Sequence, residues 1–393
     1  MVRLVLAAVV SLVIPPVMPS AGRHGAVAGQ GWSVDTRAPA LVTAFRLRQV
    51  SNAVTTTPDG RTFIGFPRLQ GEGGMSVAEA GAGNRLHPYP DAAWNAWKPG
   101  EDARRAFVRV NALRIGPDGH LWVVDTGVPG FGESLVPGGS KVVVIDVRTD
   151  KVRRVYPLDR VGHPKSHIGD LRIHRGHAYL TDAGDPGALI VLDLGTGVPR
   201  RVLEGDLSTT ARRPVMAEGK PMTGPDGKPV RVNATHLEVS PDGEYLYFQP
   251  LSGPLHRVRT RWLNDPALRG RELSGRVQPW VDTPSTGGTA IDAAGNIYLS
   301  DVDRLRILRI SPDREVTTVI QDRRLLWPDA LWIDGAGQLW IPIAQRNRLA
   351  RFQGGRSHVV LPAHIYKLKI GARPAPIGHP ARPAPDEHAA GPT

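Results

Sequence analysis

One phrase recurs along this chain, and that recurrence limits the possible folds more than any other feature. It is clearest at "VNALRIGPDGHLWVVDTG", where an alternating segment runs into Pro117-Asp118-Gly119 and a second segment rich in aromatic and β-branched residues leaves it. Relatives begin at Asn52 ("NAVTTTPDGRTFIGF"), Asp170 ("DLRIHRGHAYLTDAG"), Thr235 ("THLEVSPDGEYLYFQP"), Gly287 ("GGTAIDAAGNIYLSD") and Asp329 ("DALWIDGAGQLWIPI"). Each reads as a strand, a tight turn ending in glycine, and a returning strand. The turn glycines Gly60, Gly119, Gly176, Gly243, Gly295 and Gly337 mark six units about fifty residues apart.

Most of these hairpins are followed by a second strand pair: "KVVVIDVRTDKVRRVYPL", "ALIVLDLGTGVPRRVL", "RILRISPDREVTTVI" and "RLARFQGGRSHVV". The unit is therefore four antiparallel strands, and six such units predict an all-β, six-bladed β-propeller. A two-sheet sandwich with a further domain is the competing architecture, but it does not account for evenly spaced copies of one hairpin. Either the segment around residues 43–49 or "HIYKLKI" near the end is expected to complete a blade shared by both ends of the ring.

The remaining segments read as loops. Residues 71–97 carry "GEGG" and "HPYPDAAWNAW", and residues 205–232 form a second long insertion; insertions of this length are often covers over sites. The propeller is expected over residues 29–370, followed by an unstructured Pro/Ala-rich tail at 371–393. At the front, Arg3, an apolar run ending at Pro15-Pro16 and the small-residue site Ala26-Val27-Ala28 predict an export signal over residues 1–28, hence a secreted or periplasmic protein. No later segment is long and apolar enough for a membrane helix.

The absence of cysteine excludes disulfides, thiolate metal sites and a cysteine nucleophile. Lys plus Arg exceeds Asp plus Glu by 49 − 37 = 12. The excess is scattered arginine without a helix-turn-helix, zinc-finger or aromatic-basic pattern, so no nucleic-acid partner is expected. The chain also lacks G-x-S-x-G, H-E-x-x-H and P-loop motifs.

Several segments together resemble the successive signatures of the major royal jelly protein/Yellow family, in the right order from about Phe63 to Ile370. They are "FIGFPRLQGEGGMSVAEA", "PYPDAAWNAW", "FVRVNALRIGPDGHLWVVDTG", "LTDAGDPGALIVLDLGTG", "LEVSPDGEYLYFQPLSGPLHRVRTRWL" and "WPDALWIDGAGQLWI". The resemblance implies a six-bladed propeller. Its insect members include dopachrome-converting enzymes, binders of biogenic amines and nutritive secreted proteins. The present chain departs from them in having no cysteine and in placing Thr235-His236 where small residues are usual.

Innermost propeller strands all begin on one face. Asn52, Asn111, Asp170, His236 and Asp329 are therefore expected around one mouth of the axial channel, with Asp125, Asp182 and Asp301 on the same rim at the ends of the returning strands. Converging carboxylates and amides suit a small ligand, an ammonium group or Ca²⁺, which takes oxygen ligands; Asn111, Asp170 and Asp329 are the candidate metal set. The same short polar residues also cap strand ends and turns. Three functions remain open: a monomeric exported propeller binding a small cationic or aromatic molecule, an enzyme, or a protein-interaction scaffold. The enzyme would be a metal-dependent hydrolase of the lactonase type, or a dopachrome-type tautomerase with a rim Asp or His236 moving a proton. Against the lactonase type, Asn52 stands where a first-blade Glu is usual.

Overall fold

The computed structural model describes residues 40–69 and 74–376. The expected export signal lies outside the described residues. Six four-stranded antiparallel sheets form a propeller, and in blades 1 to 5 the strands run in sequence order from the inside outward. The innermost strands of blades 1 to 6 are Ala53–Thr56, Val110–Ile115, Ile168–His174, Ala234–Val239, Thr286–Ile291 and Trp332–Ile333. The turn glycine of every first hairpin has positive φ, between 73° and 95°, a region in which a Cβ is strained.

Strand composition follows position in the ring. In blade 2 the second strand, Leu121–Thr126, and the third, Ser140–Asp146, are buried throughout, whereas the outer strand, Lys151–Pro157, alternates toward solvent. The inner strands are packed on both faces by adjacent blades, so they read as continuous apolar runs; the outermost strand has one wet face. An aromatic residue on the second strand bonds back to the aspartate of its own turn in three blades. Trp122 Nε1 donates to Asp118 Oδ1 at 3.0 Å, Tyr298 Oη to Asp292 Oδ2 at 3.2 Å and Trp340 Nε1 to Asp334 Oδ2 at 2.7 Å. The recurring turn-plus-aromatic phrase thus fills the gap between blades and satisfies the ring's polar atom in one step.

Both ends of the chain build blade 6. Its inner three strands are Trp332–Ile333, Gln338–Pro342 and Ala363–Lys369; the outermost, Val42–Leu47, comes from the front of the chain, with Leu47 opposite Ala363 and Val42 opposite Lys367. The seam to blade 1 is closed by a parallel bridge between Ala53 and Ala330 and by Trp332 Nε1 donating to Thr56 Oγ1 at 3.0 Å.

Two segments differ from expectation. Residues 71–97 are not simply a loop: Val77–Ala80 and Leu86–Pro88 are the outer strands of blade 1, so short that the glycines and prolines around them hide their alternation. "RLARF" is not an outer strand of blade 6 but two short 3₁₀ turns, Arg346–Arg348 and Ala350–Phe352. Leu349 is buried there and Phe352 half-buried, a spacing of three that matches the 3₁₀ repeat. The tail, expected to be unstructured from Gly371, is described as far as residue 376; Pro374 bridges Asp292 and Ala375 is buried.

Candidate functional site

The axial mouth is shaped by a repeated backbone irregularity. In blades 2 to 5 the inner strand shifts register against its neighbour near its start: between Val110 and Ala112, Ile168 and Leu171, Ala234 and His236, and Thr286 and Thr289. The bulged residues are Asn111, Gly169 and Asp170, Thr235, and Gly287 and Gly288. Such bulges re-aim side chains and are common beside sites. At Gly288 there is no room for anything larger, since a Cβ would lie 2.4 Å from the carbonyl of Asp329 in the next blade.

The bulged segments are tied to one another around the axis. Asn52 Nδ2 donates to the Asn111 carbonyl, and Asn111 Nδ2 to the Gly169 carbonyl at 2.7 Å. Thr181 Oγ1 donates to the Thr235 carbonyl at 3.2 Å, His236 Nε2 to the Thr286 carbonyl at 2.7 Å and Ser300 Oγ to the Pro328 carbonyl at 2.8 Å. Each bond joins one blade to the next, so the side chains expected at the mouth serve first as inter-blade ties. The tie also fixes the chemistry of His236. A carbonyl can only accept, so Nε2 carries the hydrogen and Nδ1 keeps its lone pair. Burial, only partly offset by Asp329, the Thr286 carbonyl and Asp170, holds the His236 pKa below its ordinary value.

Of the eight residues expected at the mouth, Asn111, Asp170, His236 and Asp329 line one axial cavity of about 610 Å³. The other four do not line it. Asn52 is fully buried one layer behind. Asp125 accepts from the backbone N–H groups of Val108, Arg109 and Gly127 at 2.8–3.0 Å and pairs with the buried Lys141 Nζ at 2.8 Å. Asp182 accepts from Ser166 Oγ, the His167 and Gly184 amides and Arg201. Asp301 accepts from the Asp303 and Arg304 amides and from Arg306. These three carboxylates end the returning strands as expected, but the loops that follow fold back over them, and they hold those loops.

The two expected carboxylates that do reach the cavity, Asp170 and Asp329, are already paired. Asp170 binds Arg172 at 2.8 Å, and Arg172 also holds Glu238, which accepts from Thr289 Oγ1 at 2.8 Å. Burial alone would raise the Asp170 carboxyl, but Arg172 and Arg114 outweigh it and keep the group below the usual carboxylate range. Asp329 accepts from Arg346 Nε at 2.6 Å, and Arg346 reaches across the mouth to Asn111 Oδ1 at 3.1 Å. A Ca²⁺ held by Asn111, Asp170 and Asp329 would compete with Arg172 and Arg346 for the same oxygens. Among the described residues there is no group of three or more His, Cys, Asp or Glu side chains arranged to hold a metal ion.

The rest of the cavity comes from loops over the mouth. Val128 and Phe131 lie between the second and third strands of blade 2, Met222, Val230 and Val232 belong to the long insertion, Trp327 precedes blade 6 and Phe352 lies between its second and third strands. His167 stacks on Phe131 with centroids 6.4 Å apart. Behind Phe131 lies Arg109, fully buried, its guanidinium carbon 4.6 Å from the ring centroid and none of its three side-chain nitrogens hydrogen-bonded among the described residues. Burial, with Arg346 and Arg351 nearby, pushes Arg109 down to about 9. Burial and then the charges of Arg109 and Arg346 hold His167 well below its ordinary value. Sequence reasoning missed Arg346, Phe131 and His167. Arg346 lies in "AQRN", between the last hairpin and "RLARF", where an isolated arginine gives no signal.

The sequence pattern of the major royal jelly protein family matches residues 108–358, spanning blades 2 to 5 and the two innermost strands of blade 6. The chain belongs to the major royal jelly protein family. A comparison with curated proteins finds no match. Solved structures that resemble it include regucalcin, a calcium-binding protein from Agrobacterium tumefaciens (14% identity, 88% of this chain and 98% of that one, TM-score 0.53). A gluconolactonase from Xanthomonas campestris (12% identity, 84% and 89%, TM-score 0.52) and a luciferin-regenerating enzyme (10% identity, 87% and 100%, TM-score 0.51) are similar to the same extent. At these identities the likeness concerns the fold. The family member described here therefore has to be read from its own cavity.

Proposed function

We propose that this protein is an exported small-molecule binder, and that a ligand with an apolar, aromatic-sized body occupies the axial cavity. The observation that supports this reading is the cavity itself. About 610 Å³ of space lies where the bulged starts of four inner strands meet, walled by Val128, Phe131, Val232, Trp327 and Phe352, with Asn111, His236 and Arg346 at its floor. A few convergent polar groups in an otherwise apolar hollow are the usual make-up of a small-molecule site. Among the described residues no helix is long and apolar enough to cross a membrane.

The test is a thermal-shift screen of small aromatic compounds against the parent and against Val232→Trp, which fills the cavity from its wall. Compounds that raise the parent's melting temperature are expected to lose at least most of that effect in the variant. An equal shift in both proteins would move the site elsewhere.

One observation favours a second reading, a metal-independent proton-transfer enzyme of the tautomerase type. His236 has its pKa held down and its Nδ1 makes no hydrogen bond among the described residues, beside Asp170 and Asp329, which suits a general base. His236→Gln, which retains a donor for the Thr286 carbonyl, would abolish turnover if this reading is right and leave binding near parental.

A further inference from the structure

We infer that the ligand carries an anionic oxygen group, a carboxylate or its equivalent, and that Arg346 receives it. This rests on the reading of the axial cavity as the binding site, and it gives that site a sign opposite to the one its aspartates suggest.

Charges around the cavity decide the sign. Of the four acidic side chains in the lining, Asp170 is tied to Arg172 and Asp329 to Arg346. The other two, Glu133 and Asp185, are exposed at the outer edge, where solvent screens them, and Asp185 faces Lys165 at 3.9 Å. An organic cation entering the cavity therefore meets carboxylates whose charge is already taken up.

Positive charge, in contrast, is left over. Arg346 spends Nε on Asp329 and one terminal nitrogen on Asn111 Oδ1; its other terminal nitrogen makes no hydrogen bond among the described residues, although its side chain is only 13% exposed and lines the cavity. Arg109 and Arg351 lie against Phe131, at 4.6 and 4.5 Å from its centroid, and neither forms an ion pair among the described residues. The nearby Asp125 is committed to Lys141. A buried guanidinium with three unbonded nitrogens is costly, and the aromatic face offsets only part of that cost. An anion held beside Phe131 lowers the energy of both Arg109 and Arg346, and a cation raises it.

The donor arrangement agrees. One amide hydrogen of Asn111 and the Nε2 hydrogen of His236 are taken by the inter-blade ties, so Arg346 is the charged group on the cavity floor with a donor to spare. Guanidinium is also well matched to a carboxylate, because its donors lie in a planar fork. The bound molecule would place its acidic group on Arg346 and its apolar body against Phe131, Val232 and Trp327.

The experiment uses three probes that share one ring system: indole-3-acetate (anionic), 3-methylindole (neutral) and tryptamine (cationic), titrated calorimetrically into the full-length protein at pH 7.5. Indole-3-acetate is expected to bind at least about tenfold more tightly than 3-methylindole, the value of one charge-assisted hydrogen bond, with tryptamine weakest. Arg346→Gln should erase the preference. Because that change leaves Asp329 bare, Arg346→Gln combined with Asp329→Asn serves as a second variant that removes the pair together. A preference for the anion that survives in both variants would overturn the assignment to Arg346. If 3-methylindole or tryptamine binds as tightly as the acid, and Val232→Trp abolishes that binding, the inference falls while the cavity remains the site. If none of the three binds, the reading of the cavity falls as well.

Discussion

The aspartates at the mouth are of two kinds, and the difference lies in what each oxygen touches. Asp125 is fully buried with three backbone donors and Lys141, so it has no capacity left for a ligand. Removing one partner of such a pair strands the other, and Asp125→Ala is expected to destabilise the fold by about 3–5 kcal/mol in chemical denaturation. A loss below about 1 kcal/mol would show that the pair is dispensable. Asp329 is instead shared between a protein guanidinium and the cavity. Asn111, Asp170, His236 and Asp329 come together at one cavity because strand starts fix position. Sequence reasoning could not assign their partners: Arg346 is 235 residues from Asn111 and lies just before the "RLARF" segment.

Histidine sets the acid sensitivity. His167, His174, His236, His256 and His364 are all held below their ordinary pKa, burial being the leading cause in each. As the pH falls through about 6.5, the unfolded chain takes up protons that the folded chain refuses, so stability is lost on acidification. Asp170 is shifted so as to add stability that persists at neutral pH and disappears only below the carboxylate range. Melting temperature should therefore fall steadily between pH 7.5 and pH 5, before the Asp170 carboxyl titrates. A flat or rising profile over that window would contradict this account.

At the scale of elements, the hairpins were legible because three signals coincide in each: alternation, a turn glycine and an aromatic on the return. The aromatic stripe is core. Trp122 and Trp340 are 3% and 8% exposed, and each bonds the aspartate of its own turn. Trp122→Ala or Trp340→Ala is expected to cost about 3–5 kcal/mol, as for other truncations of buried aromatics. Unfolding of both variants at the parental midpoint would mean that the inter-blade packing carries little weight. Outer elements were less legible. Val77–Ala80 and Leu86–Pro88 are too short to show a period, and the register shifts that shape the mouth leave no trace in composition because a bulge is a property of pairing.

At the scale of the whole molecule, sixfold repetition specifies the ring, and departures from repetition specify the site. The ring is closed by Val42–Leu47 on Ala363–Lys369 and by the tie from Trp332 to Thr56. The site lies where the repeat is broken: by bulges at Asn111 and Asp170, by the insertion that supplies Val230 and Val232, and by the 3₁₀ turn that carries Arg346 across the axis. Repeats are visible in one sequence, whereas a site assembled from loops of different blades is visible only after folding. The most direct test of the central claim is a crystal structure of the protein with indole-3-acetate. The account predicts ligand density in the axial cavity, its carboxylate within about 3 Å of Arg346 and its ring against Phe131. Density instead in a second hollow, lined by Glu218, Lys220, Asn347, Arg348 and His358, with the axial cavity holding only water, would contradict it.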